Sequence, residues 1–144
     1  MTAAPRIRQF EYEGDYDRVI RLWQTIETGM HIGPSDAPGE IKKKLERDPD
    51  LFLVAEQNEE IIGSIIGGFD GRRGMIYHLA VRNDFRRQGI GQALLAEVEK
   101  RLKEKGCIKC LLMIFEDNET ARKFYEESGW KAVPEDLVFM KMFI

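Results

Sequence analysis

The sequence is poor in the residues that build disulfide frameworks, metal sites and membrane spans. Its 144 residues include only two cysteines and two histidines, His31 and His78. The apolar runs are short, and none approaches the ~18 residues of a membrane-spanning helix. Residues 1–7 lack the apolar core and the cleavage site of a secretory signal. We therefore expect a cytoplasmic protein with no membrane partner and no metal.

An excess of positive charge is also missing. Lys and Arg number 22 against 25 Asp and Glu, which gives a net charge of −3. A slightly acidic chain is a poor non-specific ligand for nucleic acid, and we expect no nucleic-acid partner. A nucleic-acid-binding domain would depend on local arginines alone, which are Arg72, Arg73, Arg82, Arg86 and Arg87.

The two cysteines, Cys107 and Cys110, have the C-x-x-C spacing of zinc ligands and redox pairs. Zinc would need four ligands, and the chain has no second cysteine pair. A redox pair is activated by a helix N-terminus, whereas this pair follows Gly106 at the predicted end of a helix. We therefore interpret both as structural thiols, ahead of a redox or metal site.

Length and composition predict a single domain over residues 1–144, because 43% hydrophobic and 33% charged residues are ordinary for a globular chain. Strand-like segments occupy 7–10, 51–57, 60–69, 75–81, 109–115, 130–133 and 138–143. Helical spacing predicts four helices between them. The order β-α-α-β-β-β-α-β-α-β-β predicts an α/β (α+β) fold, a mixed sheet of about seven strands with about four flanking helices.

Helix starts follow from residues that cap well. Asp15 is a plausible N-cap of the first helix, and Ser35 or Asp36 of the second. The third helix carries an apolar stripe from Ile90 and ends at Gly106, and Asp117 or Asn118 precedes the fourth.

The most informative segment is Arg86-Arg87-Gln88-Gly89-Ile90-Gly91-Gln92, between a predicted strand and the third helix. Free amides and the helix dipole favour an anion at such an N-terminus, and glycines let it approach the backbone. The segment therefore predicts phosphate or diphosphate binding, although glycine can also serve a turn alone. Leu94 stands where a Rossmann fingerprint needs a small residue, and no P-loop pattern occurs.

Arg86-x-x-Gly89-x-Gly91 resembles the R/Q-x-x-G-x-G/A acyl-CoA loop of the GNAT (GCN5-related) N-acetyltransferases, and Leu79-Ala80-Val81 fits the strand that leads into it. The segment Asn118-x-x-Ala121-x-x-Phe124-Tyr125, followed by Ser128-Gly129-Trp130, is similar to their second signature, N-x-x-A-x-x-F-Y-x-x-x-G-F. The match covers roughly residues 51–130. The preceding Gly68-Phe69-Asp70-Gly71 resembles little-characterised bacterial members.

The resemblance implies a GNAT-like, mostly antiparallel sheet and acetyl-CoA (coenzyme A) as co-substrate. Amides of Arg87 to Gln92 would hold the pyrophosphate, with Arg86 and Arg87 near the phosphates. The pantetheine arm would lie where the strand before the loop splays from the next one, and there it would pair with the backbone of Leu79 and Val81. The implied cofactor-binding residues are Leu79, Ala80, Val81, Arg86, Arg87, Gln88, Gly89, Ile90, Gly91, Gln92, Asn118, Ala121 and Phe124.

The resemblance implies direct attack of an amine on the thioester in a ternary complex. Tyr125 would stand near the sulfur as general acid, because a phenol can protonate a leaving thiolate. Members with a glutamate base need an acid near Met113, which is apolar here. Tyr77, His78 or a water remain candidates for the base, and alternation along the strand predicts that Tyr77 and His78 point to opposite faces.

The sequence does not identify the acceptor amine. His31 lies where family members line the acceptor site, so His31, Tyr77 and His78 are candidate substrate residues. The partner is a small-molecule or peptide amine, and loops 30–38 and 134–137 would line its site. The alternative function is a non-catalytic acyl-CoA-binding sensor, and the final strand, 138–143, could pair with a second copy to form a homodimer.

Overall fold

A computed structural model describes residues 4–144. The strands are β1 (Arg6–Gln9), β2 (Phe52–Gln57), β3 (Glu60–Phe69), β4 (Gly74–Val81) and β5 (Cys110–Leu112). The α-helices are α1 (Tyr12–Gln24), α2 (Pro38–Arg47), α3 (Ile90–Glu104) and α4 (Glu119–Glu127), and short 3-10 turns cover Pro34–Asp36 and Asn83–Phe85. No helix in this range is long and apolar enough to cross a membrane. The elements fall into two compact units, one ending at Met113 and the other comprising Ile114–Ile144.

The first unit is built on one five-stranded sheet in the order β1-β2-β3-β4-β5. Neighbouring strands are antiparallel, except that β4 and β5 run parallel. Asn58 and Glu59 both have positive φ, 51° and 64°, as a two-residue hairpin turn between β2 and β3 requires. The mixed, mostly antiparallel sheet agrees with the predicted fold class.

Helices cover both faces of the sheet, so its central strands are buried on both sides. Residues 52–55 of β2 are fully buried. On one face, Trp23 of α1 packs with Phe52, with ring centroids 6.2 Å apart. On the other face, a Cβ atom at Gly67 of β3 would lie 2.8 Å from Cγ2 of Val98 in α3. The close approach of α3 to the sheet therefore requires glycine at this position.

The second unit lacks the two strands predicted for residues 130–133 and 138–143. Residues 130–144 form no regular secondary structure, and the side chains of Val138, Phe139 and Phe143 are 70–91% exposed. Strand propensity describes side chains that pack on a half-buried pleated surface beside another strand. No strand among the described residues pairs with this segment. The prediction of about seven strands is therefore wrong, and the sheet has five.

The start of α1 differs from the prediction because Asp15 has other partners. The helix begins at Tyr12, and Asp15 lies inside it, only 2% exposed. Its carboxylate accepts hydrogen bonds from the Glu11 amide (2.8 Å) and from the Arg8 guanidinium (2.7 Å). Arg8 also donates to Glu56 at 3.0 Å. These three side chains, the Arg8 cluster (Arg8, Asp15, Glu56), tie together β1, α1 and β2.

The second helix is likewise capped by neither Ser35 nor Asp36. Its N-cap is Ala37, which offers no side-chain hydrogen bond, and Pro38 occupies the first helical position, where the missing N–H is harmless. The Asp36 side chain is buried and bonds elsewhere. Asp15 and Asp36 therefore use their carboxylates for other elements, Asp15 for Arg8 of β1 and Asp36 for His78 of β4.

Candidate functional site

Strand β4 separates from β5 partway along its length. Residues 74–76 of β4 pair with residues 110–112 of β5. From residue 77 onward β4 remains paired with β3 but has no strand on the β5 side within the part of the chain that the structure describes. We call residues 77–81 the open edge. Unpaired strand edges can accept an added extended segment through backbone hydrogen bonds.

A β-bulge stands at the start of the open edge. Ser64 of β3 pairs with Ala80, and Ile66 pairs with Tyr77, so two residues of β4 oppose one residue of β3. His78 is one of these two, and its φ is 47°. An inserted residue of this kind re-aims side chains and increases local twist.

The bulge brings Tyr77 and His78 to the same face of the sheet. A Cβ atom at Gly68 would lie 3.7 Å from the Tyr77 ring and 3.4 Å from Nζ of Lys44 in α2. The His78 ring packs against Trp23 of α1, with centroids 4.5 Å apart. The prediction that the two side chains point to opposite faces is therefore wrong, because strict alternation holds only in a strand without an inserted residue.

His78 forms a hydrogen bond with Asp36. Its Nε2 atom lies 2.9 Å from Oδ1 of Asp36, a residue 42 positions away that ends the 3-10 turn between α1 and α2. The other carboxylate oxygen, Oδ2, accepts the Gly33 amide at 3.0 Å. The Tyr16 hydroxyl of α1 donates to the Asp36 carbonyl at 2.8 Å. Asp36 is thus fixed from both sides, and we call Asp36 and His78 the Asp–His pair.

The electrostatics of the pair favour a charged carboxylate. Burial of Asp36, which is 5% exposed, by itself opposes ionisation. The hydrogen bonds from His78 and the Gly33 amide more than offset that effect, so the pKa of Asp36 falls below its ordinary value of 3.8. Asp36 is therefore ionised at neutral pH and can only accept hydrogen bonds.

A second set of hydrogen bonds holds the bulge itself. The indole N–H of Trp23 donates to Oγ of Ser64 at 2.8 Å, and that hydroxyl donates to the His78 carbonyl at 3.1 Å. Ser64 is fully buried. Because a buried polar group without a partner is costly, this chain of bonds makes the unusual backbone of His78 part of the folded core.

The loop before α3 presents unpaired backbone amides. None of the N–H groups from Arg87 to Gln92 donates a hydrogen bond to any residue within 4–144, and α3 has no side-chain cap. The first helical bond in this region runs from the Ala93 amide to the Gly89 carbonyl. Gly89 is the N-cap in a left-handed conformation, φ 81°, and a Cβ atom there would meet open space. The result is a concentrated set of donors at a helix N-terminus.

The arginines near this loop differ in their partners. Arg82 forms ion pairs with Glu60 (2.7 Å) and Asp84 (2.8 Å). Arg86 and Arg87 form no ion pair with any described residue, and Arg87 has positive φ, 63°. Arg82 is therefore neutralised by carboxylates, and the uncompensated charge of this segment lies beside the free amides.

The second unit carries the other predicted residues on α4. The Asn118 side chain caps this helix by accepting the Ala121 amide at 3.1 Å, as one of the two predicted caps. The Tyr125 ring makes edge contacts with Phe124 and Trp130, with centroids 5.1 and 5.9 Å away. Burial raises the pKa of Tyr125 to about 12. The phenol is therefore protonated throughout the neutral range and available as a donor.

The sulfur atoms of both cysteines lie close to Gly74, where a Cβ atom would approach Sγ of Cys107 to 3.0 Å and Sγ of Cys110 to 3.1 Å. Burial raises the pKa of Cys110 to about 12. A thiol that resists ionisation is a poor nucleophile and a poor metal ligand. This environment suits the predicted structural role.

The structure brings the predicted substrate residues into one region of the first unit. His31 is exposed and packs against Gly33, which bonds to Asp36, while Tyr77 is 43% exposed beside His78. The sequence does not reveal Asp36 as the partner of His78, because a carboxylate that precedes a helix is normally interpreted as its N-cap. The one available signal was its position in the loop expected to line the acceptor site.

Comparison with known proteins places these features in a family. The model of the acetyltransferase (GNAT) family matches residues 16–130. An acetyltransferase of Pectobacterium atrosepticum is 44% identical over 128 residues, covering 88% of each chain, and one of Sodalis glossinidius is 40% identical over 139 residues, covering 96% of this chain and 95% of the relative. Among solved structures, the PaiA N-acetyltransferase of Thermoplasma acidophilum in complex with coenzyme A has a TM-score of 0.78 at 21% identity, covering 93% of this chain and 94% of that one.

Proposed function

Because the chain belongs to the GNAT family of acetyltransferases, we propose that it transfers the acetyl group of acetyl-CoA to a primary amine by direct attack in a ternary complex. The predicted family and the predicted class, an N-acetyltransferase, are confirmed by the family match and by the relatives' names. Acetyl-CoA supplies the activated acetyl group. No observation favours the alternative of a non-catalytic acyl-CoA sensor.

The free amides of residues 87–92 carry this proposal. A diphosphate needs several donors converging on one place, and the unpaired N–H groups at the start of α3 provide them without any side chain. Gly89 leaves open space above these amides, and Arg86 and Arg87 add uncompensated charge. This arrangement supports a role for residues 86–92 in holding the pyrophosphate of coenzyme A.

The open edge of β4 supports a place for the pantetheine arm. Leu79, Ala80 and Val81 lie on the part of β4 that has left β5, where backbone groups could pair with an amide-containing chain as an added strand does. The arm of coenzyme A contains two such amides. The position of the edge, directly before the loop of free amides, agrees with one cofactor bound along both.

The α4 residues support a role at the thioester end of the cofactor. The Asn118 side-chain oxygen accepts the Ala121 amide as the helix cap, so its NH₂ group remains as a donor for the pantetheine arm. Ala121 and Phe124 would pack against the arm. Tyr125 would act as general acid toward the departing thiolate, because its raised pKa keeps the phenol protonated. The amine acceptor would enter beside loop 30–38. Whether two copies of the chain form a homodimer stays a separate prediction.

Two leucine substitutions at opposite ends of α3 test the loop. Gly89 and Gly106 both have left-handed backbones (φ 81° and 92°) and open space at Cβ, so Gly89→Leu and Gly106→Leu share a strain of about 1–2 kcal/mol. Only the side chain at 89 would cover the amides. We expect calorimetry to show coenzyme A affinity reduced at least about 100-fold in Gly89→Leu, from the loss of several charge-assisted hydrogen bonds, and nearly unchanged in Gly106→Leu.

Transfer is tested with the same variants by mixing acetyl-CoA with a panel of small amines, polyamines and peptides and measuring thiol release. The wild type and Gly106→Leu should release thiol with at least one amine, and Gly89→Leu should not. Full affinity in Gly89→Leu would overturn the loop assignment. A chain that binds coenzyme A and releases no thiol with any amine would overturn the transferase and favour the sensor.

A further inference from the structure

We propose that His78 is the general base that deprotonates the acceptor amine, and that Asp36 is the residue that positions and orients its imidazole. The proposal deepens the proposed function and rests on it. It names a base on β4, since position 113, where the resemblance implies a carboxylate in members with a glutamate base, is Met113 in this chain. The observations that carry it are the geometry of the Asp–His pair and its place at the bulge.

The partners of Asp36 determine which imidazole nitrogen is free. The ionised carboxylate can only accept, so the atom that approaches Oδ1 at 2.9 Å, Nε2 of His78, must carry the proton. In the neutral imidazole the lone pair then lies on Nδ1. No hydrogen bond joins Nδ1 to any residue that the structure describes. A carboxylate on one nitrogen and a free lone pair on the other is the arrangement that a general base needs.

The bulge places this base at the open edge. His78 follows Tyr77 at the point where β4 has just left β5, and Leu79 and Val81 of the proposed cofactor edge come directly after it. The His78 side chain is 20% exposed, so solvent or an acceptor can reach the imidazole. Its backbone is held by the Ser64 hydroxyl and its ring by Trp23. A residue that served only the core would not need a strained backbone at this edge.

The proton balance of the reaction requires a base. An acceptor ammonium loses two protons on its way to the amide. The first leaves the ammonium nitrogen for Nδ1 of His78, which frees the electron pair that forms the new bond to the acetyl carbon. The carbon–sulfur bond breaks with its pair on sulfur, and the Tyr125 phenol protonates that thiolate. The second proton from the nitrogen then restores the Tyr125 phenol. His78 then returns its proton to water, and the pair is restored.

The titratable groups around His78 come from several elements. Asp36 bonds to the ring, and His31 of the preceding loop acts on Asp36 through its charge. Tyr16 of α1 donates to the Asp36 carbonyl, and Tyr77 precedes His78 on β4. Only Asp36 is bonded to the imidazole, so only its removal should redirect the imidazole proton.

His78→Gln removes the base while keeping a donor for Asp36, because the glutamine NH₂ can take the place of Nε2–H. We expect kcat/KM at neutral pH to fall by about 10²- to 10⁴-fold, with coenzyme A affinity unchanged in calorimetry. The deficit should shrink with rising pH, since amines with a pKa near ~10 deprotonate without help there. A variant that was merely misfolded would show a deficit independent of pH.

Asp36→Asn tests the positioning role. Asparagine has one acceptor oxygen, which the Gly33 amide requires, so its NH₂ would face Nε2 and move the imidazole proton to Nδ1. We expect a fall in kcat at least about 10²-fold, little change in KM, and nitrogen NMR spectra that show the Nδ1–H tautomer instead of the wild-type Nε2–H tautomer. Asp15→Asn, an equally buried aspartate in the Arg8 cluster, is the control and should keep kcat within about two-fold.

The outcomes separate this proposal from the proposed function. A wild type that acetylates amines while His78→Gln keeps its rate and pH profile overturns the base assignment and leaves the transferase intact. Wild-type NMR spectra that show the Nδ1–H tautomer also overturn it, whether or not a variant folds. A wild type that transfers acetyl to no amine overturns the proposed function, and the base assignment with it.

Discussion

The loop at residues 86–92 and the Asp–His pair are built in opposite ways. The loop consists of consecutive residues, and its donors are main-chain amides left unpaired at the start of α3. The pair consists of two side chains that are 42 positions apart and that meet through a turn and a bulge. One site is a property of a local backbone conformation, and the other depends on the tertiary fold.

The difference determines what each site tolerates. A backbone site should survive changes of its side chains and fail when the chain conformation or the space above it changes. A side-chain site should fail when either partner changes, because a buried carboxylate and an oriented imidazole depend on each other. Substitutions elsewhere in the molecule test whether this contrast holds.

The Arg8 cluster is a second set of partly buried ionic contacts between different elements, and it tests whether such contacts serve stability alone. Arg8→Gln leaves the buried Asp15 carboxylate with the Glu11 amide and, as its one remaining cation among the described residues, Arg18 at 3.4 Å. We therefore expect the free energy of unfolding at pH 7 to fall by about 3 kcal/mol. The value of kcat/KM should stay within about two-fold of the wild type. Urea unfolding and steady-state kinetics measure the two effects. A large loss of kcat in the folded variant would mean that the cluster also serves catalysis.

The cluster also has a pH dependence with a defined sign. Burial opposes the charge of Asp15, but bonds from Arg8 and the Glu11 amide lower its pKa below the ordinary 3.8, and bonds from Arg8 lower the pKa of Glu56 below the ordinary 4.5. Carboxylates with lowered pKa values stabilise the fold above those ordinary values and lose that contribution as pH falls. The stability difference between wild type and Arg8→Gln should therefore narrow below pH 4.5.

Tyr125 provides a third test of the contrast. It acts through its side chain, as the Asp–His pair does, but it belongs to one continuous sequence motif, as the loop does. Tyr125→Phe keeps the ring contacts with Phe124 and Trp130 and removes only the hydroxyl. We expect kcat to fall by about 10- to 1000-fold with coenzyme A affinity unchanged. Because the pKa of Tyr125 is raised to about 12, the wild-type enzyme should lose the contribution of this general acid only as pH rises toward that value. Tyr12→Phe on α1 is the matched control, and equal rates in both variants would remove Tyr125 from the mechanism.

The sequence predicts the elements whose signal is local. The apolar stripe of α3 begins at Ile90 and is buried as predicted, and the turn at Asn58 and Glu59 forms the expected hairpin. The strands predicted at 130–133 and 138–143 do not form. A strand needs a neighbouring strand for its backbone hydrogen bonds, and the strand propensity of a segment does not show whether such a neighbour exists. Local chemistry thus predicts helices and tight turns better than terminal strands.

The same limit applies to the site. The free amides before α3 could be predicted because glycine spacing and helix start lie within a few residues. The bulge at His78 could not, since one inserted residue leaves the apolar pattern of β4 almost unchanged. The sequence predicts Asp36 as a cap because a carboxylate before a helix has the same sequence signature whether it caps the helix or bonds to an imidazole.

The smallest expected effects come from Arg86 and Arg87, and they test the backbone character of the loop most directly. Arg86→Gly and Arg87→Gly each remove one charge near the phosphates, so each should weaken coenzyme A binding about two- to five-fold at low salt and less at high salt. Their effects on folding should differ. Arg87 has φ 63°, where glycine relieves about 1 kcal/mol of strain that offsets its entropic penalty, whereas Arg86 has φ −70° and gains nothing.

Calorimetry at two salt concentrations and urea unfolding separate these contributions. Arg87→Gly should unfold with nearly wild-type stability, and Arg86→Gly should be less stable by about 0.5–1 kcal/mol. If either variant lost as much affinity as Gly89→Leu, the arginine side chains and not the amides would hold the phosphates. The loop would then depend on side chains just as the Asp–His pair does, and the contrast between the two sites would fail.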